Sequence, residues 1–160
     1  GFKTSTLYRK GSEYEVQAVF MKDQLAKLGI DVAIRTVDDA AFYDLRAKRA
    51  YETFSHRRPM AVVEPDDILM KEWKTGASDN WGNVSDPELD KMIDAQSREQ
   101  DPAKRKAMVR QISNKIEDMY VETKLLWGGY WRAWGPQVKD YVLGGQLYDA
   151  EKFAEVWLDR

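Results

Sequence analysis

The sequence predicts an α/β fold in which a mixed sheet is flanked by helices, and three observations lead to that prediction. Segments with a two-residue apolar period alternate along the chain with segments of helical period. The chain has 160 residues, enough for one hydrophobic core, so we expect a single domain over residues 1–160. No apolar run approaches the roughly 18 residues that a membrane span requires.

The first strand and helix follow from local patterns. Apolar and polar residues alternate moderately over residues 2–9, and this pattern predicts a strand. Ser12 and Glu15 have the spacing of a capping box, which marks the start of a helix, and Gly29 suits its left-handed end. The apolar residues of this helix recur at steps of four and three, which predicts a buried stripe. That stripe consists of Tyr14, Ala18, Met21, Leu25 and Leu28.

A second strand and helix follow, and then a third strand. Ile30, Val32 and Ile34 share one face of a strand over residues 30–37. Asp38 or Asp39 can cap a helix that continues to about Ala50. Residues 51–56 form a third strand candidate. This order of elements implies a partly parallel sheet with helices on both faces.

Helices dominate the next part of the chain. We expect a short helix over residues 66–75 and then a loop rich in Gly, Ser, Asn and Asp over residues 74–83. Ser85 and Glu88 have capping-box spacing and open a helix to about Gln96. Asp101 with the following proline opens another. The stripe of that helix consists of Val109, Ile112, Ile116 and Met119. Extended segments are expected at 125–134, 138–142 and 153–158.

Arginines mark the expected ligand crevice, which lies beyond the carboxyl ends of the strands in such sheets. The loops at that edge follow Val37, His56 and Trp127. Arg57 and Arg58 leave the third strand directly, and arginine binds carboxylate and phosphate through two parallel hydrogen bonds. A solvated surface pair, or an ion pair with nearby acids, is the alternative for these two arginines.

Composition excludes several kinds of chemistry. There is no cysteine and one histidine, so zinc sites built on His and Cys and thiol nucleophiles are excluded, and no nucleophile turn accompanies His56. The net charge of −2 disfavours nucleic acid as a partner, and we expect no cofactor. Glu64, Asp66 and Asp67 lack calcium-loop spacing and fit a helix start better than a cation site. Six Trp and eight Tyr fit either a core or an aromatic-lined cleft.

Several stretches, taken together in their order and spacing, resemble family 5, the peptide/nickel group of ABC-transporter solute-binding proteins. They are residues 24–32, 39–44, 64–67, 83–93, 101–106 and 156–159. The resemblance implies a lobe fragment of a type II periplasmic-binding-protein clamshell: the second lobe with a return segment over residues 125–160. It further implies a small solute or peptide as ligand, no catalysis, an ABC permease and a missing N-terminal lobe as partners, and a periplasmic or lipoprotein-anchored, extracytoplasmic location.

The resemblance also assigns ligand-binding positions. Peptide-binding members carry a tryptophan and an aspartate, which holds the α-ammonium group, where this chain has Arg58 and Ala61. An anionic or neutral ligand is therefore favoured over a plain dipeptide. Further positions implied at the pocket are Met60, beside Ala61 on the floor, Arg46 at a helix end, and Trp127 with Gly128 on the return strand.

Two other classes of function stay open. The helices at residues 85–96 and 101–119 could form a protein–protein docking module without a ligand of its own. A small hydrolase could use the carboxylates of Glu64, Asp66 or Asp67, which is the less favoured reading because such groups occur on any acidic surface.

Overall fold

A computed structural model describes residues 1–11, 14–55, 64–124, 133–142 and 153–159. The chain divides into two compact units, Gly1–Arg58 and Pro59–Arg160, which we describe separately. The prediction of a single domain over residues 1–160 remains a prediction. Within the described ranges, no helix has both the length and the apolar character needed to cross a membrane.

The first unit contains a three-stranded parallel sheet with the strand order β2-β1-β3. Strand β1 (Lys3–Arg9) pairs over its whole length with β2 (Asp31–Val37). Strand β3 (Thr53–Phe54) pairs with the other edge of β1 and is shorter than the predicted segment 51–56. All three strands therefore end at the same edge of the sheet, where parallel strands present their carboxyl ends.

Helices cover both faces of this sheet, as the alternating pattern predicted. Helix α1 (Tyr14–Ala26) packs against the face that carries Tyr8 and Ile34. Helix α2 (Asp39–Ala47) packs against the opposite face, where the rings of Phe42 and Phe54 lie 6.3 Å apart, edge to face. Phe54 pairs with Leu7, and adjacent strand residues such as Leu7 and Tyr8 point to opposite faces.

The predicted stripe of α1 is buried over most of its length. Tyr14 and Ala18 are buried, and Met21 and Leu25 are partly buried. Leu28 is 74% exposed, so its place in the stripe was wrong. The helix ends at Ala26, before this residue, which lies in the turn that leads into β2. The proposed cap Ser12 lies outside the described residues.

Both helices of the first unit end in a left-handed residue. Gly29 has φ +76° at the end of α1, as predicted, and its N–H donates to the carbonyl of Ala26. Helix α2 starts at the predicted cap Asp38, which accepts from the Ala41 N–H at 2.8 Å. It ends at Ala47 rather than near Ala50, because Arg49 takes φ +54°.

The second unit is built on helices around one apolar core. Helix α3 (Pro65–Ile68) leads into a π-helical turn (Leu69–Trp73), where a single helix had been expected. Helices α4 (Pro87–Arg98) and α5 (Pro102–Asp118) agree with the prediction to within two residues. The core that these elements bury consists of Leu69, Trp73, Leu89, Ile93, Ile112 and Ile116.

A short ribbon completes the described part of the second unit. Strands β4 (Val138–Lys139) and β5 (Trp157–Leu158) pair antiparallel, and a 3₁₀ turn (Phe153–Glu155) precedes β5. The indole N–H of Trp157 donates to Asp140 at 2.8 Å. The predicted β segments at 138–142 and 153–158 are thus confirmed only in part.

Candidate functional site

The carboxyl edge of the three-stranded sheet carries a cluster of polar and aromatic side chains around Arg9. This residue ends β1 and is one of the side chains that the parallel topology brings to that edge. Its Nε lies 3.4 Å from Oδ1 of Asp39, and its Nη1 donates to the hydroxyl of Tyr43 at 3.1 Å. The guanidinium also lies 5.7 Å from the ring centroid of Tyr14.

The surrounding elements hold Arg9 in one orientation. Asp38 caps α2, so that the first turn of this helix begins directly after β2. Asp39 and Tyr43 are four residues apart and share one helix face, which places both beside the end of β1. The contacts of Arg9 include Asp39, Tyr43 and Tyr14, and its side chain remains 27% exposed, so it is held in place and still accessible to solvent.

A second polar cluster fixes the end of β3. The hydroxyl of Tyr8 is hydrogen-bonded to Ser55, and Ser55 Oγ donates to Oε1 of Gln17 at 2.8 Å. Tyr8 is 2% exposed, and this burial raises the pKa of its phenol, while the hydrogen bond to Ser55 opposes that rise. Ser55 is therefore tied to β1 and α1 immediately before residue 56.

Arg46 is the predicted ligand residue that the structure describes. It lies in the last turn of α2, where its guanidinium is 4.9 Å from the ring centroid of Tyr43 and 5.7 Å from that of Phe42. Cation–π contacts of this kind stabilise both the arginine and the ring. Because Tyr43 also accepts from Arg9, Arg46 is linked to the carboxyl edge through one aromatic side chain.

The other predicted site residues lie outside the described residues. They are Arg57, Arg58, Met60, Ala61, Trp127 and Gly128. His56 lies in the same undescribed segment, residues 56–63, as Arg57, Arg58, Met60 and Ala61. Their roles in ligand binding remain predictions.

The acidic segment after residue 63 forms a helix start, as expected. Glu64 caps α3, and its carboxylate is bound by Arg105, whose Nη1 donates to Oε2 at 3.3 Å. Asp66 accepts from Ser97 Oγ at 2.7 Å and from the Gln96 amide. Across the described ranges, no group of three or more His, Cys, Asp and Glu side chains could hold a metal ion.

The described part of the second unit contains two shallow grooves. One, of about 250 Å³, is lined by Ile116, Glu117, Glu122, Thr123 and Lys124. The other, of about 220 Å³, lies between α4 and α5. Neither includes a predicted site residue, so we base the candidate site on the strand ends rather than on groove volume.

The fold of the chain matches part of the fold of solved substrate-binding proteins. Solved structures with this fold superpose on 71% to 76% of the chain. Sequence comparison with protein-family models found no match, and no curated protein matches by sequence either. The family 5 resemblance drawn from the motifs is therefore confirmed as a resemblance of fold.

Three solved structures illustrate the likeness. The Escherichia coli murein tripeptide binding protein MppA is 19% identical, with a TM-score of 0.70 over 75% of this chain and 24% of its own. DppA from Helicobacter pylori, in complex with the peptide STSA, is 20% identical. Its TM-score is 0.66, over 76% of this chain and 24% of its own. The oligopeptide-transporter substrate-binding domain from Bacillus anthracis is 19% identical. Its TM-score is 0.68, over 74% of this chain and 24% of its own. The chain thus spans about a quarter of the length of the structures it matches.

The sequence prediction missed Arg9, a cation that Asp39 and Tyr43 hold at the described edge. The prediction placed the ligand crevice at the loops after Val37, His56 and Trp127. The rule that selected those loops applies equally to the end of β1, so the signal was present: a predicted strand that ends in an arginine. Tyr43 and Asp39 could not be selected without knowing which helix face meets β1.

Proposed function

We propose that the chain is a ligand-binding part of the extracytoplasmic solute-binding component of an ABC importer, without catalysis of its own. The observation that supports this most directly is the fold likeness to solved substrate-binding proteins at TM-scores of 0.66 to 0.70. One of these is a murein tripeptide binding protein, and another was solved with a bound peptide. A peptide or a solute of similar size is therefore the ligand class that we propose.

The ligand carries an acidic group that arginines orient. Arg9 is accessible at the carboxyl edge of the sheet and is held there by Asp39 and Tyr43. We place Arg57 and Arg58 beside the same ligand, because they follow Ser55 by only two and three residues and Ser55 is anchored at that edge. A guanidinium binds a carboxylate through charge-assisted hydrogen bonds, so these residues select for an anionic end.

The remaining predicted residues shape the pocket in this proposal. Met60 and Ala61 form its floor, and Trp127 with Gly128 forms an apolar wall. Arg46 supports the site through Tyr43 rather than by direct contact. Since Ala61 replaces the aspartate that holds a peptide ammonium group in the resembled family, the amino end of a ligand has no charged partner at that position.

A second lobe completes the cleft, and a membrane permease receives the ligand. The second lobe is proposed because the solved structures are about four times as long as the matched region, and the permease because one of them is the substrate-binding domain of an oligopeptide ABC transporter. One lobe makes only part of the contacts, so the 160-residue chain alone should bind with a dissociation constant of about 1 mM or weaker.

The test uses three forms of one peptide probe. STSA, its C-terminal amide and its N-acetyl form are titrated into the ¹⁵N-labelled 160-residue chain, and amide chemical shifts report binding. We expect amidation to weaken binding about tenfold, because a charge-assisted hydrogen bond is lost. Acetylation should change the affinity little. Equal affinity for acid and amide would exclude the arginine anchor, and no binding of any form would exclude peptides as the ligand class.

Variants then locate the anchor. Arg9→Gln and the pair Arg57→Ala with Arg58→Ala should each weaken binding of the free acid and leave the amide unaffected. Arg98→Gln serves as the matched control, because Arg98 is an exposed arginine at the end of α4. Unchanged affinity in both test variants would contradict the proposed site while leaving the fold assignment intact.

Protein docking through α4 and α5 is the second candidate function. The groove of about 220 Å³ between these helices favours it, since two methionines adapt readily to a partner surface. Its lining consists of Glu88, Lys91, Met92, Ala95, Met108 and Gln111. Retention of a membrane permease by the chain, abolished by Met92→Asp with Met108→Asp, would support this function.

A further inference from the structure

Tyr43 presents a hydroxyl group at the carboxyl edge of the three-stranded sheet. The residue lies on the face of α2 that meets the end of β1, and it is 46% exposed. Its oxygen accepts a hydrogen bond from Nη1 of Arg9 at 3.1 Å, which among the described residues is the only hydrogen bond of this side chain. The hydroxyl proton is therefore available to a ligand at this edge.

The contact with Arg9 fixes the chemical role of this hydroxyl. A guanidinium has five N–H donors and no acceptor, so Tyr43 can only accept from Arg9 and must direct its own proton elsewhere. Accepting a hydrogen bond from a cation polarises the O–H group, which makes it a stronger donor. Tyr43 is thus prepared to donate to a second group.

The ring that carries the hydroxyl is held from two sides. The guanidinium of Arg46 lies 4.9 Å from the centroid of the Tyr43 ring, and the ring of Phe42 meets it edge to face at 5.6 Å. Phe42 is buried, so this support belongs to the body of the first unit. A donor whose orientation is fixed before binding loses less conformational entropy when a ligand arrives.

The charges around the hydroxyl favour an anionic acceptor. Arg9 and Arg46 both contact Tyr43, one at its oxygen and the other at its ring. Asp39 lies 3.4 Å from Nε of Arg9, a different nitrogen from the one that contacts Tyr43, and its side chain is 67% exposed and so largely screened by water. The Nη1 group and the hydroxyl are close enough for the two oxygens of one carboxylate to accept from both.

We propose that Tyr43 is a specificity-determining residue that donates its hydroxyl proton to the acidic group of the ligand, beside Arg9. The identity of that ligand rests on the proposed function, whereas the anion site itself does not, because a simple carboxylate can occupy it.

Acetate tests the site without a peptide. Sodium acetate is titrated into the ¹⁵N-labelled 160-residue chain against sodium chloride at equal ionic strength, and the Nε–H resonance of Arg9 reports binding. Tyr43→Phe should weaken acetate binding about tenfold, because a hydrogen bond to a charged group is lost. Tyr120→Phe is the matched control, since Tyr120 is 88% exposed and belongs to the second unit. Equal binding by wild type and Tyr43→Phe, or no acetate-specific shift at Arg9, would overturn the proposal.

Tyr43→3-fluorotyrosine separates donation to the anion from support of Arg9. Fluorine withdraws electrons from the ring, so the hydroxyl becomes a better donor and a poorer acceptor. At about pH 6, where the hydroxyl keeps its proton, we expect acetate to bind about twofold more tightly than to the wild type. Unchanged or weaker binding would mean that Tyr43 only supports Arg9, and the proposal would be wrong.

The peptide STSA then connects the site to the proposed function. Its free acid should bind Tyr43→Phe about tenfold more weakly than the wild type, and its C-terminal amide should show a smaller loss. Equal binding of the free acid to both proteins would show that Tyr43 does not contact the ligand. If STSA does not bind the wild type while acetate binding depends on Tyr43, peptides fail as the ligand class and the anion site stands.

Discussion

At the scale of the residue, a buried amide shapes the long loop between the π-helical turn and α4. Asn80 is 2% exposed. Its side-chain nitrogen donates to the carbonyls of Lys74 and Val84 at 3.1 and 2.7 Å, and its side-chain oxygen accepts from the Val84 N–H at 2.9 Å. One side chain thus satisfies three backbone groups in a segment that lacks regular structure.

Asn80→Ala should therefore lower the free energy of unfolding by about 2 kcal/mol, because buried backbone groups lose their partners. Urea unfolding followed by circular dichroism measures this change. Asn114→Ala, at an exposed position within α5, is the control and should change the free energy by less than about 0.5 kcal/mol. Equal effects of the two substitutions would mean that the loop does not depend on the Asn80 amide.

At the scale of the element, the start of α4 shows how sequence rules can select the wrong neighbour. The capping-box spacing selected Ser85, but the cap is Asp86. Oδ1 of Asp86 accepts from the N–H groups of Glu88 and Leu89 at 2.8 and 3.1 Å, and Lys115 of α5 contacts its other oxygen at 3.0 Å. The two candidates are adjacent in sequence, and only the backbone direction at the helix start distinguishes them.

Asp86→Ala should destabilise the protein by about 1 kcal/mol, the usual contribution of a helix cap. Ser85→Ala should have little effect, because Ser85 is exposed and precedes the cap. The midpoints of urea unfolding of the two variants give the comparison directly. A larger loss in Ser85→Ala would restore the capping box that the sequence predicted.

Most helix and strand positions in the described residues could be predicted from the sequence, because they depend on local signals. Gly29 ends α1, and Asp38 and Asp101 cap their helices as expected. The element ends that the prediction missed depend on backbone conformation and strand pairing rather than on local sequence signals. Helix α2 stops early at Arg49, a residue with no intrinsic preference for the left-handed conformation, and β3 extends only as far as β1 can pair with it.

At the scale of the whole molecule, carboxylates with lowered pKa make stability depend on pH. Hydrogen bonds from the side chain and backbone of Ser5 lower the pKa of Glu52. The Leu89 N–H and Lys115 lower the pKa of Asp86. A carboxyl whose pKa is lower in the folded state stabilises that state above its unfolded pKa, and this stabilisation is lost as the pH falls through the folded pKa.

The protein should therefore lose stability as the pH falls from about 5, just above the unfolded pKa values of Asp and Glu, to about 2. Glu52→Gln and Asp86→Asn should each flatten this dependence, while Glu99→Gln, at a carboxyl in the loop after α4, provides a comparison. Thermal unfolding at a series of pH values measures the slope. Identical slopes for wild type and both test variants would show that these carboxylates do not govern acid unfolding.

The candidate site was less predictable than the fold. Arg46 was selected as a helix-end arginine, and the structure shows it stacked on Tyr43, one aromatic ring away from the strand end. Arg9 was not selected, although it ends a strand. The acidic segment at Glu64 was interpreted as a helix start, but its link to Arg105 joins residues 41 positions apart and leaves no local signal.

The sequence by itself determined the alternating order of strands and helices, most of the caps, and the absence of thiol chemistry. It could do so because caps, apolar periods and residue types act over a few neighbouring positions. The tertiary structure decided which arginine stands at the carboxyl edge and which carboxylates hold arginines in place. Those choices depend on how strands pair and on which helix faces meet them, and such long-range packing has no short-range signature in the chain.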